Sequence, residues 1–191
     1  MTKFNTRRLV ESALMIAIAT ILATFVKIDA PWAFGGSITL CSALPIIVIA
    51  FRYGIPWGLF TGFVFSVLQI LTGMSALKGI SVAALIGSLV LDYFVAFTAF
   101  GFAPVFRKII KNQTLALVTG TAFVLVIRFV AHFLSGTLIF GSYAPENMYP
   151  AVYSLIYNAG YMVPEIILTC AAAAILSTPI LNGFGQKAKE A

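Results

Sequence analysis

Five side chains between Asp92 and Glu165 could do chemistry within an otherwise apolar part of the chain. They are an aspartate, an arginine, the single histidine, an asparagine and a glutamate: Asp92, Arg128, His132, Asn158 and Glu165. Each lies in a long apolar stretch, and a charge at the centre of a membrane helix costs roughly 2.5–3.5 kcal/mol on insertion scales. We therefore expect these side chains to face a shared interior, which we interpret as a binding pocket.

The spacing of these residues predicts where they meet. At about 1.5 Å of rise per residue, Asp92 and Arg128 lie roughly 15–20 Å and 15 Å below the outer ends of their helices, so the two charges could pair. His132 follows Arg128 by four residues and shares its helix face, and Asn158 lies at a similar depth. Tyrosines surround them at positions 93, 153, 157 and 161. This combination suits a flat heteroaromatic ligand, and a cationic one would gain from the aromatic faces.

Structural interpretations of the same residues remain open. Asp92 and Arg128 could form a buried ion pair without a ligand, His132 could be a packing residue, and the tyrosines could be a belt at the membrane interface. We interpret Glu165, which follows Pro164, as structural. The convergence of so many polar side chains at one end of the chain's helices favours a pocket.

The sequence gives no support for an enzyme. It has no GxxxxGK[ST] phosphate loop, no HExxH motif, and no motif that positions a serine nucleophile. His132 has no partner ligands at metal-binding spacing, and Cys41 and Cys170 lie in apolar runs as small buried residues do. We expect no catalytic site, no metal and no cofactor.

The composition is that of a membrane protein. Of 191 residues, 61% are hydrophobic and 9% are charged, whereas a soluble domain carries about 25% charged residues. The length fits about six spans of ~20 residues. We predict an all-α integral membrane bundle of six transmembrane helices, forming one domain over residues 1–191. The predicted helices cover residues 8–26, 38–51, 56–71, 79–102, 115–139 and 152–176.

The basic residues favour one topology. All of the twelve Lys and Arg except Lys27, Lys78 and Arg128 fall on the side that holds both termini. By the positive-inside rule, both termini are cytoplasmic, and a bacterial cell membrane fits. The formal charge of +6 therefore reflects topology, and no nucleic-acid partner is expected.

Two further features concern the first helix and the loop after it. Ala13-x-x-x-Ala17 and Ala19-x-x-x-Ala23 allow another helix to approach closely, either within this protein or from a membrane partner. The Pro- and Gly-rich segment 27–37 is predicted as a loop, in which Trp32 is an interface anchor or covers the site.

Several stretches resemble the thiamine-specific substrate-binding subunits of bacterial energy-coupling factor (ECF) transporters. The similarity covers nearly the whole chain, and the pairing of RxxxH with YSLxxN is fairly specific. The matching stretches are LDYFVAF at 91–97, RFVAHFLSG at 128–136, FGSYAP at 140–145, YSLIYNAGYMVP at 153–164, GGSITL at 35–40 and LPI at 44–46.

The resemblance implies six helices, a thiamine site near the extracellular face, and partners consisting of a transmembrane coupling subunit and two ATPase subunits. It implies that Ala13 and Ala17 contact the coupling subunit. The implied substrate-binding residues are Asp92, Tyr93, His132, Tyr153 and Asn158, supported by Arg128.

This chain departs from the family pattern at some positions. Some members carry Glu in place of Asp92, and they have tryptophans in the site where this chain offers Phe140 and Trp32. The alternatives are a binding subunit for another vitamin, such as riboflavin or a pyridoxine-like ring, and a stand-alone carrier or membrane enzyme.

Overall fold

Seven helices make up most of the part of the protein that the structure describes. The computed structural model describes residues 6–29, 36–73 and 79–185. The helices are α1 (Thr6–Phe25), α2 (Leu44–Tyr53), α3 (Ile55–Gly73), α4 (Val82–Lys108), α5 (Gln113–Leu138), α6 (Pro150–Ile175) and α7 (Ser177–Gly185). Strands β1 (Lys27–Asp29) and β2 (Ser37–Thr39) pair antiparallel between α1 and α2, with Ile28 opposite Ile38.

Five of these helices, α1, α3, α4, α5 and α6, are long and apolar enough to cross a membrane. Within the apolar 18-residue segment of each of these helices, the share of residues buried inside the protein ranges from 11% in α1 to 44% in α5. The outer surface of the bundle carries many exposed Val, Leu, Ile and Phe side chains. A surrounding lipid bilayer accounts for such an apolar surface. The predicted all-α membrane fold is confirmed.

The helix boundaries differ from the prediction in three places. The second helix begins at Leu44 and not at residue 38, because residues 37–39 form β2 and Cys41 adopts a positive φ of 60° before Pro45 opens the helix. Helix α4 continues to Lys108, past the predicted end at residue 102. The short helix α7 follows the predicted end of the last helix at residue 176, so the described residues form seven helices, besides a 3₁₀ turn at Gly141–Tyr143, instead of six.

Helix α4 is irregular along its length. It begins as an α-helix at Val82, widens into a π-helical stretch from Leu89 to Val95, and ends in 3₁₀ geometry from Ala99 to Lys108. Short π-helical insertions are rare and occur frequently at functional sites. The widened stretch contains Asp92 and Tyr93, so it sets the direction of both side chains.

Close helix contacts depend on two glycines. A Cβ atom on Gly101 would lie 2.2 Å from the backbone nitrogen of Leu59, and one on Gly120 would lie 2.0 Å from the carbonyl oxygen of Ala103. Helix α4 therefore packs backbone to backbone against α3 on one side and α5 on the other. These contacts fix the positions of the helices that carry the polar residues.

The alanines of α1 divide between two environments. Ala19 is fully buried and Ala23 packs against the core, whereas Ala13 and Ala17 are exposed. Near the start of α1, Glu11 pairs with Arg7 and with Arg52 and accepts a hydrogen bond from Tyr53. These contacts attach α1 to α2.

Candidate functional site

A cavity of about 480 Å³ lies at one end of the bundle, within the usual range of about 300–1,000 Å³ for small-molecule sites. Its walls come from the C-terminal parts of α1, α3 and α5, the N-terminal halves of α4 and α6, and strand β2. Seven of the eight residues predicted for the site line it: Asp92, Tyr93, Arg128, His132, Phe140, Tyr153 and Asn158. The eighth, Trp32, lies outside the described residues.

Asp92 is surrounded by hydrogen-bond donors. Its Oδ2 accepts from the hydroxyl groups of Ser88 and Ser135, both at 2.6 Å, and its Oδ1 lies 2.9 Å from Nδ1 of His132. Hydrogen bonds to a carboxylate are short and strong. They hold the aspartate in one orientation at the cavity wall and leave acceptor capacity on Oδ1.

The predicted pairing of Asp92 with Arg128 is wrong. Nη1 of Arg128 donates instead to Oε1 of Glu165 at 2.6 Å, and the two side chains are only 7% and 1% exposed. The Arg128 guanidinium also lies 5.1 Å from the centre of the Phe97 ring. The depth argument failed because it compared only two helices and left Glu165 of α6 without a charge partner.

A chain of hydrogen bonds connects these groups. Nε of Arg128 lies 3.4 Å from Nε2 of His132, and a guanidinium can only donate. This contact favours the tautomer of His132 that carries its proton on Nδ1, from which it donates to Asp92. The chain runs from Glu165 through Arg128 and His132 to Asp92.

The described groups around the cavity carry a net charge of −1. Arg128 and Glu165 compensate each other, which leaves the carboxylate of Asp92 beside His132 in its neutral form. Lys27, at the rim, is compensated by Asp29 at 3.0 Å. The site therefore favours a ligand with one positive charge.

Glu165 also fastens the hairpin to the bundle. The hydroxyl of Thr39 in β2 donates to Oε1 of Glu165 at 2.6 Å and lies 2.8 Å from the hydroxyl of Ser42. The second carboxylate oxygen of Glu165 is buried and has no partner among the described residues. These contacts agree with the structural interpretation of Glu165, although the sequence did not indicate its partners.

Asn158 braces α6 against α5. Its Nδ2 lies 3.4 Å from the carbonyl oxygen of His132 in α5 and donates to the carbonyl oxygen of Ser154 at 2.9 Å, and its Oδ1 accepts from the Tyr161 hydroxyl at 2.6 Å. Ser154 in turn donates to the carbonyl oxygen of Phe133 at 2.8 Å. A Cβ on Gly136 would lie 2.3 Å from the Ser154 hydroxyl, so this contact requires glycine.

Aromatic rings form much of the remaining wall. The rings of Tyr153, Tyr157 and Tyr161 follow one another at centroid distances of 5.9 and 6.0 Å along α6. Across the cavity, Tyr93 lies 6.2 Å from Phe97 on α4. These rings can stack on a flat ligand or surround a cation.

Sequence reasoning missed the contribution of α3. Gln69, Thr72 and Gly73 line the cavity, but the apolar stretch that contains them showed no polar pattern. Ser88 was also missed, although its position four residues before Asp92 places both on one helix face. Within residues 6–29, 36–73 and 79–185, no group of three or more His, Cys, Asp or Glu side chains could hold a metal ion.

Comparison with solved structures defines the class of protein. A structure of ThiT from Listeria monocytogenes superposes with a TM-score of 0.74 at 24% identity, covering 94% of this chain and 99% of that one. The S component of a bacterial ECF transporter superposes with a TM-score of 0.59 at 19% identity, covering 97% and 99%. This chain therefore has the fold of a membrane-embedded S component.

Sequence comparison identifies the family. The chain belongs to the thiamine transporter protein family, whose pattern matches residues 9–182. It is 34% identical to the thiamine transporter ThiT of Bacillus subtilis over 88% of this chain and 89% of that protein. It is 30% identical to ThiT of Lacticaseibacillus paracasei over 71% and 70%. This is a family of transporters and not of enzymes.

Proposed function

We propose that this protein is the thiamine-binding membrane subunit of an ECF-type vitamin uptake transporter. The observation that carries the proposal is the cavity itself, which combines aromatic walls, a fixed aspartate and a net charge of −1. Thiamine joins a flat aminopyrimidine to a thiazolium ring with one positive charge. The shape and charge of the ligand therefore complement those of the cavity, and the family membership of the chain supports the same ligand.

Each polar group has a proposed role. Asp92 accepts a hydrogen bond from the amino group of the pyrimidine, because Oδ1 keeps an acceptor site beside His132. Tyr93, Tyr153 and Phe140 provide ring surfaces to the ligand. Arg128 acts indirectly, because its contact with Nε2 of His132 favours the tautomer that donates to Asp92.

Asn158 is assigned a scaffold role together with a ligand contact. Both ends of its amide already bond within α6, and its Nδ2 lies 3.4 Å from the carbonyl oxygen of His132, so it also connects α6 to α5. Its carbonyl oxygen can still accept a second hydrogen bond, which a ligand group could provide.

Transport requires partner subunits. The chain has no phosphate loop for ATP hydrolysis, and we propose that a transmembrane coupling subunit and two ATPase subunits supply the energy. Ala13 and Ala17, exposed on α1, provide a flat surface to which a helix of the coupling subunit can pack closely. The distribution of Lys and Arg favours cytoplasmic termini in a bacterial membrane, and with that topology the cavity, beside the C-terminal end of α1, lies near the extracellular face.

A titration against a vitamin panel tests the ligand. Purified protein is titrated with thiamine, riboflavin and pyridoxine while tryptophan fluorescence is recorded, and Asp92→Asn is the control. We expect saturable binding of thiamine at or below micromolar concentration and weaker binding by the variant. A response to another vitamin and none to thiamine would assign the site to that vitamin.

Purification tests the transport role. Co-isolation with ATPase subunits from the native membrane is the expected result. Uptake by the chain alone in vesicles, driven by an ion gradient, would show a stand-alone carrier instead.

A further inference from the structure

Helix α3 forms a wall of the cavity with a polar group that has no partner in the part of the chain that the structure describes. Gln69 lies on the cavity side of α3, one turn before Gly73. The Nε2 atom of its side-chain amide is buried and has no hydrogen-bond partner among the residues that the structure describes. Buried polar atoms in native proteins are almost always hydrogen-bonded, so each exception requires a reason.

The other amide and acid of the cavity differ from Gln69. Asp92 accepts hydrogen bonds from two serines, and Asn158 bonds to Ser154 and to Tyr161. The protein therefore satisfies these groups before any ligand binds. Gln69 lines the cavity, and its buried Nε2 is a donor without a partner among the described residues, so a change of its side-chain rotamer would present this donor to a ligand.

Gln69 is on the same wall as the aspartate region of α4. A Cβ on Gly73 would lie 2.7 Å from the Tyr93 hydroxyl, so the ring of Tyr93 rests against the end of α3. Tyr93 follows Asp92 directly in the π-helical stretch. Gln69 and Asp92 therefore line the same cavity from two helices, α3 and α4, that are in contact.

We propose that Gln69 is a ligand-contacting residue that reads the amino edge of the pyrimidine. An amide pairs with an exocyclic amino group and its neighbouring ring nitrogen, as glutamine does with adenine in DNA recognition. Nε2 donates to the ring nitrogen, and Oε1 accepts one hydrogen of the amino group. The second amino hydrogen remains for Asp92. The inference rests on the proposed thiamine function and adds a specificity residue to it.

Gln113 supplies a matched control. Gln113 is the first residue of α5 and lies away from the cavity. Its side-chain Nε2 lies 3.3–3.4 Å from the backbone carbonyl oxygens of Arg107, Ile110 and Lys111, which precede α5. Replacing each of the two glutamines should therefore have opposite effects on thiamine affinity and on stability. Removing the amide of Gln113 loses hydrogen bonds within the protein, whereas removing that of Gln69 loses none to a described residue.

The experiment compares Gln69→Leu and Gln113→Leu with the wild type. Thiamine affinity is measured by titration, and thermal stability is measured without ligand. For Gln69→Leu we expect affinity to fall roughly 5- to 150-fold, the effect of losing a hydrogen bond to a buried polar group, with ligand-free stability unchanged or raised. For Gln113→Leu we expect unchanged affinity and lower stability.

An analogue tests the chemical assignment. The wild type should discriminate against the thiamine analogue that carries an oxo group in place of the pyrimidine amino group. Gln69→Leu should discriminate less, and the discrimination that it keeps comes from Asp92, which still accepts from the amino group. Wild-type affinity in Gln69→Leu, or equal discrimination by both proteins, would overturn the inference while leaving the thiamine function intact.

Failure of the thiamine function would be recognisable separately, because the wild type would then not bind thiamine. The two leucine variants would be compared with whichever vitamin of the panel binds. If none binds, the ligand-free stability decides, since a Gln69→Leu protein less stable than the wild type would show that the amide has a partner within the protein.

Discussion

Replacing Glu165 by alanine should destabilise the protein strongly. The substitution leaves the Arg128 guanidinium, only 7% exposed on its side chain, without the carboxylate that lies 2.6 Å away. Removing one partner of a buried ion pair costs about 3–5 kcal/mol. For a chain of this length, 1 kcal/mol shifts Tm by about 2–4 °C, so we expect Tm to fall by roughly 6–20 °C.

The control is Asp29→Ala, which breaks a pair at the surface. Asp29 has a side chain that is 76% exposed and lies 3.0 Å from Lys27. An exposed pair contributes about 0–1 kcal/mol, so Tm should change by at most about 4 °C. Glu165→Gln separates charge from shape, because it keeps an acceptor for Thr39 but removes the negative charge opposite Arg128.

The assay is thermal unfolding of detergent-purified protein, followed by the loss of monodisperse material on size-exclusion chromatography. The ranking expected is a large decrease in Tm for Glu165→Ala, a smaller one for Glu165→Gln and almost none for Asp29→Ala. Equal shifts in Glu165→Ala and Asp29→Ala would refute the reasoning, since the Arg128–Glu165 pair would then contribute no more than an exposed one.

Three further predictions concern the ligand, the helix contact and the partner. Asp92→Asn should weaken thiamine binding roughly 10- to 150-fold, the range for a hydrogen bond to a charged group; an unchanged Kd in calorimetry would remove Asp92 from the site. Gly136→Ala should lower stability by about 1–3 kcal/mol through overpacking, because its Cβ would lie 2.3 Å from the Ser154 hydroxyl. Adding Ser154→Ala should recover part of that loss of Tm, and no loss in the single variant would contradict the contact. Ala13→Leu combined with Ala17→Leu should reduce co-purification of the coupling subunit while thiamine affinity stays the same. Undiminished co-purification would exclude this face of α1.

The membrane spans could be predicted because a segment that crosses lipid must satisfy its own backbone hydrogen bonds. Long apolar stretches must be helical in a bilayer, so α1, α3, α5 and α6 begin and end within two residues of their predicted bounds. The hairpin was missed because strands of three residues leave no periodic pattern. The start of α2 was misplaced for the same reason, since residues 37–39 belong to β2.

The cavity residues were predictable by type but their pairing was not. A polar residue within an apolar span is easily recognised in the sequence. The three that were recognised in this way, Asp92, His132 and Asn158, line one cavity. Which carboxylate pairs with Arg128 depends on the rotation of α6 relative to α5 and on the π-helical stretch in α4. Neither can be read from residue spacing. Gln69 was overlooked because its lack of a partner is visible only in three dimensions.

Mass spectrometry of the small molecule that co-purifies with the protein tests the central claim most directly. Protein isolated from cells grown with thiamine is denatured, and the released compounds are identified and quantified. We expect thiamine in the wild-type sample at close to one equivalent and a much smaller amount with Asp92→Asn. A different compound at one equivalent, or equal amounts of thiamine from both proteins, would contradict the account.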